Sequence, residues 1–124
     1  MVTRLLLESV ILIDHFNGIE VATQYLREHQ DLVLISVITR AEVLTGFDST
    51  GETVAIQFLN QFSALEMTVP IADLAAQLRR QQRWRLPDAI QAAFAQFHQL
   101  QLVTRNTRDF PPERHDFVTI PYVL

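Results

Sequence analysis

Three consecutive leucines, Leu5-Leu6-Leu7, run straight into an acid, Glu8. A second run, Leu32 to Val37, is almost as apolar and reads as a strongly β-prone strand. Neither run alternates between apolar and polar residues. A strand that is apolar at successive positions needs cover on both faces, and a parallel sheet between layers of helices provides it.

The segments between these runs carry helical spacing. Ile19 to His29 sets Ile19, Ala22, Tyr25 and Leu26 on one face. Thr39 to Phe47 reads as a helix closed near Gly46, and Thr53 to Phe62 as another with Val54, Phe58, Leu59 and Phe62 on one stripe. Glu66 to Val69 reads as a short strand before Pro70. Ile71 to Trp84 turns Leu74, Ala75 and Leu78 inward. Pro87 to Gln99 opens with proline in its first turn, a favoured place. Leu102 to Thr104 follows as a strand, and Phe117 to Ile120 as an edge strand that Pro121 ends. The expected fold class is α/β, three layers with a central, mostly parallel sheet flanked by helices. The 124 residues make one domain, 1–124.

Composition removes several chemistries. The chain has no cysteine, which excludes a disulfide scaffold, a zinc ribbon, an iron–sulfur cluster and a thiol nucleophile. Its ten basic residues are all arginine. Without lysine there is no P-loop, no protein-kinase site and no Schiff base. No apolar run approaches the roughly 18–20 residues of a membrane span. Nor does the N-terminus look like a signal peptide. The expectation is a soluble, cytoplasmic protein.

In open parallel sheets, ligands bind beyond the carboxyl ends of the strands. Glu8 follows the first strand, Glu42 lies one turn into the helix after the second, and Asp109 follows Leu102–Thr104. Asp88 reaches the same edge if the helix Pro87–Gln99 begins there and returns. Gathered carboxylates repel one another, and burial raises their pKa values. A divalent cation removes the conflict, and an all-oxygen set points to Mg²⁺ or Mn²⁺ rather than Zn²⁺. Such a site activates water and neutralises phosphoryl oxygens, the chemistry of phosphodiester hydrolysis. Each acid also has a local role open to it. Thr39-Arg40-Ala41-Glu42 spells a capping box, Asp88 suits a helix start, and Asp109 suits a turn before Pro111-Pro112. Glu8, between apolar runs, needs a partner, which is a metal or an arginine. Asp14, beside His15, is a fifth candidate or part of a polar helix face.

Leu6 to Asp14 resembles the opening motif of PIN-domain proteins. Ser36 to Val43, Leu86 to Ala93 and Leu102 to Phe110 are similar to the second, third and fourth motifs, in order and over nearly the whole chain. The subgroup it is most similar to is the VapC-type toxins of bacterial toxin–antitoxin pairs. The resemblance implies metal-dependent endonucleolytic cleavage of RNA and inhibition by a cognate antitoxin. It makes Glu8, Glu42 and Asp88 catalytic, metal-binding acids. The fourth position is split in the family between those held here by Asn106 and Asp109. Asp109 is taken as the charged one, with Ser9, Thr104 and Asn106 supporting. One position departs from the pattern, because the family has aspartate where this chain has Glu8. The extra methylene moves the carboxylate by about 1.5 Å, whereas productive sites are held to roughly 0.5 Å. Weakened metal binding follows, and the alternative reading is a catalytically silent module that binds RNA or antitoxin.

The net charge of -4 looks unsuited to RNA. Without the four presumed ligand acids, however, the remaining formal charge is neutral. Arginines gather at Arg79, Arg80, Arg83 and Arg85, and again at Arg105, Arg108 and Arg114. Arg40, Arg105 and Arg108 are the expected substrate contacts, since guanidinium suits phosphate. Arg79–Arg85 is equally a solvated helix face with Trp84 packed inward. The apolar helix positions also suggest a homodimer.

Overall fold

The computed structural model describes residues 2–124. Its elements are β1 (Leu5–Leu7), α1 (Ser9–Phe16), α2 (Glu20–Glu28), β2 (Val33–Ser36), α3 (Val37–Leu44), α4 (Ser49–Leu59), β3 (Ser63–Leu65), α5 (Val69–Gln82), α6 (Leu86–Phe97), β4 (Gln101–Val103) and β5 (Val118–Thr119). The strands form one sheet in the order β3-β2-β1-β4-β5. All four pairings are parallel, and Leu6 at the centre stands between Leu34 and Leu102. The α/β architecture expected from the sequence is the one found.

The leucine triplet explains the layering. Successive side chains on a strand point to opposite faces. Leu5 and Leu7 join Val33, Ile35 and Val103 against Ile11 and Leu12 of α1, Leu26 of α2, Val43 of α3 and Leu59 of α4. Leu6, with Leu34, Leu102 and Val118, turns the other way onto Ala75 and Leu78 of α5 and onto Ala89, Ala92 and Ala93 of α6. Leu6 and Leu7 are both fully buried. Each such leucine stabilises the fold by about 2 kcal/mol.

Several boundaries differ from the sequence reading: the helix expected over Thr53–Phe62 spans Ser49–Leu59, that over Ile71–Trp84 spans Val69–Gln82, and two further shifts have a clear cause. The helix expected from Thr39 begins at Val37, because Ser36 caps it by accepting from the Thr39 N–H at 3.1 Å. Thr39 is therefore buried inside the helix, and Glu42 lies in the second turn, so the capping box does not form. The short strand expected at Glu66–Val69 lies at Ser63–Leu65, beside Leu34–Ser36. Thr68 caps α5, with Pro70 in its first turn, which commits the following residues to a helix. Among the described residues no helix is long and apolar enough to cross a membrane.

Because every strand runs the same way, β1, β2 and β4 end at one edge of the sheet. Helix α6 leads back into β4, so its first turn starts at that same edge.

Candidate metal centre

Four acids reach this edge from four segments. Glu8 is the residue between β1 and α1, and its N–H donates to the Val103 carbonyl of β4 at 3.0 Å. It thus sits where the two central strands end. Glu42 comes from α3, and Asp88 from the first turn of α6. Asp109 lies in the loop after β4. There the Asn106 side-chain amide donates to its carboxylate at 2.9 Å, and its own N–H donates back to the Asn106 Oδ1 at 3.2 Å. The Thr104 hydroxyl accepts from the Asn106 N–H at 3.0 Å, which fixes the start of the loop.

The charges of these acids act on one another. Burial pushes the Glu8 carboxyl up to about 7. The Thr104 hydroxyl opposes this, while Asp88, Glu42 and Asp109 add to it by repulsion. Burial likewise raises Glu42, partly offset by the Ser9 hydroxyl and the Gln91 amide and reinforced by Asp88. Asp88 is raised by burial and by Asp109, with Arg85 pulling the other way. Glu8 Oε2 is the one buried side-chain oxygen or nitrogen without a hydrogen-bond partner among the described residues. An orphaned buried oxygen amid three other carboxylates is an environment that lacks positive charge.

The donor set therefore fits a hard divalent cation in chemistry. Among the described residues, however, no three histidine or acidic side chains already stand close enough to hold one as placed. Binding would require the carboxylates to close in further around the ion.

A buried polar network supports this edge from below. Gln91, on α6 three residues after Asp88, is almost fully buried. Its amide donates to the Thr39 hydroxyl at 2.7 Å, and its Oε1 accepts from the Ser36 hydroxyl at 3.2 Å. Gln91 thus connects α6 to β2 and α3 and also stands beside Glu42. The sequence reading gave it no role. The available signal was a glutamine amid alanines on the buried side of a helix, one turn from an acid.

The other expected site residues are placed as follows. Ser9 stands by Glu42. Arg40 is half-buried on α3, and Arg108 is exposed in the loop before Asp109. Arg105 is engaged by Asp14 through bonds of 2.6 and 2.9 Å. Asp14 is buried and also accepts from the Tyr122 hydroxyl at 2.8 Å. It therefore belongs to an ion pair rather than to the acid cluster or a solvated face.

A family model for the PIN domain matches residues 5–112. Among solved structures, 25 chains match. A chain of a toxin–antitoxin complex from Klebsiella pneumoniae shares 37% identity, with a TM-score of 0.88 over 96% of this chain and 98% of that one. FitAcB from Neisseria gonorrhoeae superposes with a TM-score of 0.78 at 24% identity, over 97% of this chain and 99% of that one. DNA-bound VapBC from Salmonella typhimurium gives 0.74 at 20% identity, over 89% and 92%. The last two carry the fold alone. No curated protein matches the chain.

Proposed function

The chain belongs to the PIN-domain family, and from that premise we propose that it is a Mg²⁺- or Mn²⁺-dependent endoribonuclease, the toxin of a VapBC-type pair. The observation that carries this reading is the orphaned Glu8 Oε2, on a carboxyl that burial and the charges of Asp88, Glu42 and Asp109 push up together. Glu8, Glu42, Asp88 and Asp109 would hold the cation. When bound, it supplies water activation and neutralises phosphoryl charge.

The remaining work falls to the chain itself. Asn106 holds the Asp109 carboxylate in place. The Ser9 hydroxyl and the Gln91 amide hold that of Glu42. Thr104 orients the loop and faces Glu8. Arg40 and Arg108 would meet the phosphates. Arg105 would reach substrate only through the part of its side chain that Asp14 leaves exposed, 29%.

A cognate antitoxin is the proposed partner, because a chain 37% identical to this one sits in a toxin–antitoxin complex. Homodimerisation is part of the proposal, supported by the exposed apolar side chains of Val54, Val69, Leu86 and Phe97. We place the activity in the cytoplasm, where RNA is the available substrate.

A second reading rests on the spacing of the same acids. With Glu8 in place of aspartate, and no three acids at ligating distance among the described residues, the protein would bind RNA or antitoxin without cutting. The deciding experiment is cleavage of a single-stranded RNA by purified protein with Mn²⁺. Cleavage that disappears with EDTA and with Asp88→Asn supports the nuclease. Its absence at every Mn²⁺ concentration, with cleavage gained by Glu8→Asp, supports the silent form.

A further inference from the structure

Arginines from the two separate sequence clusters meet in one cavity at the edge of the acid site. The cavity encloses about 180 Å³, and Arg83, Trp84, Arg108, Asp109, Arg114 and His115 line it. Arg83 comes from the end of α5, whereas Arg108 and Arg114 come from the segment between β4 and β5.

A chain of hydrogen bonds fixes the juxtaposition. The Arg83 N–H donates to the Arg79 carbonyl at 2.9 Å and closes α5. The Arg79 guanidinium donates to the Trp84 carbonyl at 2.9 Å. The buried Trp84 ring then donates from Nε1 to the Asp109 carbonyl at 2.7 Å. The indole also packs on His115 and Phe110, with ring centroids 5.2 and 4.9 Å away. Arg79 is thereby occupied in holding the turn. Arg83, Arg108 and Arg114 are exposed, and the one ion pair among the described residues is that of Arg105 with Asp14.

Arg83 also has a backbone conformation unusual for its type. Its φ of 59° puts it in the left-handed region at the C-cap of α5. Glycine is the ordinary residue there, because a Cβ is strained in that region. A long cationic side chain in a glycine position is the kind of local cost that accompanies function.

We propose that this cavity binds a backbone phosphate of the RNA strand beside the bond to be cut, through the guanidiniums of Arg83, Arg108 and Arg114. The proposal rests on the nuclease reading and specifies where its substrate lies. Guanidinium forks match phosphate oxygens in geometry and charge. Asp109 lines the cavity and also acts electrostatically on Asp88 and Glu8. An anion held there is therefore next to the acid cluster. The one acid in the lining, Asp109, has its carboxylate bonded to Asn106.

The test is binding of a short fluorescent single-stranded RNA in EDTA, followed by anisotropy over a series of salt concentrations. Arg83→Gly with Arg108→Gln should weaken binding roughly tenfold or more. It should also lower the salt slope by about 0.7 for each phosphate that is no longer neutralised. The same double variant should melt at the wild-type temperature or above, since glycine suits the left-handed position and Arg108 is exposed outside any ion pair. The fall in affinity is then not a loss of fold.

Wild-type affinity and salt slope in the double variant overturn the subsite, and Mn²⁺-dependent cleavage by the wild type leaves the nuclease reading standing. Arginine-dependent binding without cleavage in either Mg²⁺ or Mn²⁺ supports the subsite and removes the nuclease. Absence of salt-sensitive RNA binding by the wild type removes the subsite.

Discussion

The Arg105 guanidinium grips the Asp14 carboxylate through Nε and Nη2, at 2.6 and 2.9 Å, across 91 residues of sequence. Asp14 belongs to α1, and Arg105 stands at the start of the loop that carries Asn106 and Asp109. The Tyr122 hydroxyl adds a third bond at 2.8 Å and draws the C-terminal segment onto the same carboxylate. This triad anchors the loop of Asp109 to the helix that follows Glu8.

The pair makes folding stability depend on pH in the acid range. Burial alone raises the Asp14 carboxyl, but the bonds from Arg105 and Tyr122 and the Arg105 charge outweigh it, leaving the pKa below the ordinary value. A depressed folded pKa contributes stability that is complete above the unfolded carboxylate value and is lost as pH falls through the folded one. Urea titrations of the wild type should therefore show stability falling as acid is added below about pH 4. Asp14→Asn should flatten that limb and cost about 2–3 kcal/mol at neutral pH. An unchanged acid limb in Asp14→Asn would remove the pair as its source.

On the proposed reading, Glu8 trades stability for a ligand position. In metal-free protein its carboxylate is held among three others with one oxygen unpartnered. Glu8→Gln removes the repulsion while keeping the shape, and should raise metal-free stability by about 1–2 kcal/mol. A bound ion reverses the ranking. At a hundredfold excess over its dissociation constant, Mn²⁺ should stabilise the wild type by about 2.7 kcal/mol and the variant by much less. Thermal melts with and without Mn²⁺ check both signs. Equal Mn²⁺ responses would exclude Glu8 as a ligand.

The sheet was legible because Leu5-Leu6-Leu7 offers no polar face, and the sequence order of the acids followed from parallel strands. Where α3 begins was harder to read. The sequence pointed to Thr39 as the cap, whereas Ser36 takes that place and Thr39 is buried under Gln91. The partner of Asp14 was not legible at all, since nothing local relates it to Arg105. The arginine cavity was hidden for the same reason. Its two halves lie on either side of α6 and β4, and a buried tryptophan joins them.

Gln91 couples the core to the site. Its amide satisfies the Thr39 hydroxyl and accepts from Ser36 in a region without water access. Gln91→Leu keeps the volume but takes one partner from each hydroxyl, leaving Ser36 with the Thr39 N–H and Thr39 with the Leu7 carbonyl, and should cost about 1–2 kcal/mol by urea denaturation. It also removes a group that lowers the Glu42 pKa, so Mn²⁺ affinity should fall by several-fold. Once Glu42→Gln is in place, adding Gln91→Leu should cause little further loss of affinity, because both changes act on one carboxylate. A fully additive loss would show that Gln91 acts on the fold alone.

Glu8→Asp is the change that separates an enzyme from a silenced relative. Shortening the side chain pulls the carboxylate back by about 1.5 Å toward the ends of β1 and β4, and site geometry matters at roughly 0.5 Å. If the glutamate places its oxygens beyond the best position for the ion, the aspartate variant should bind Mn²⁺ more tightly. RNA turnover should then rise by about tenfold or more, each tenfold corresponding to about 1.4 kcal/mol of barrier. Calorimetric Mn²⁺ titration and single-turnover cleavage should move together. If instead the cluster is tuned to glutamate, Glu8→Asp loses both affinity and turnover. The orphaned Oε2 then marks the ligand position itself, which makes the longer side chain a working part of the proposed site.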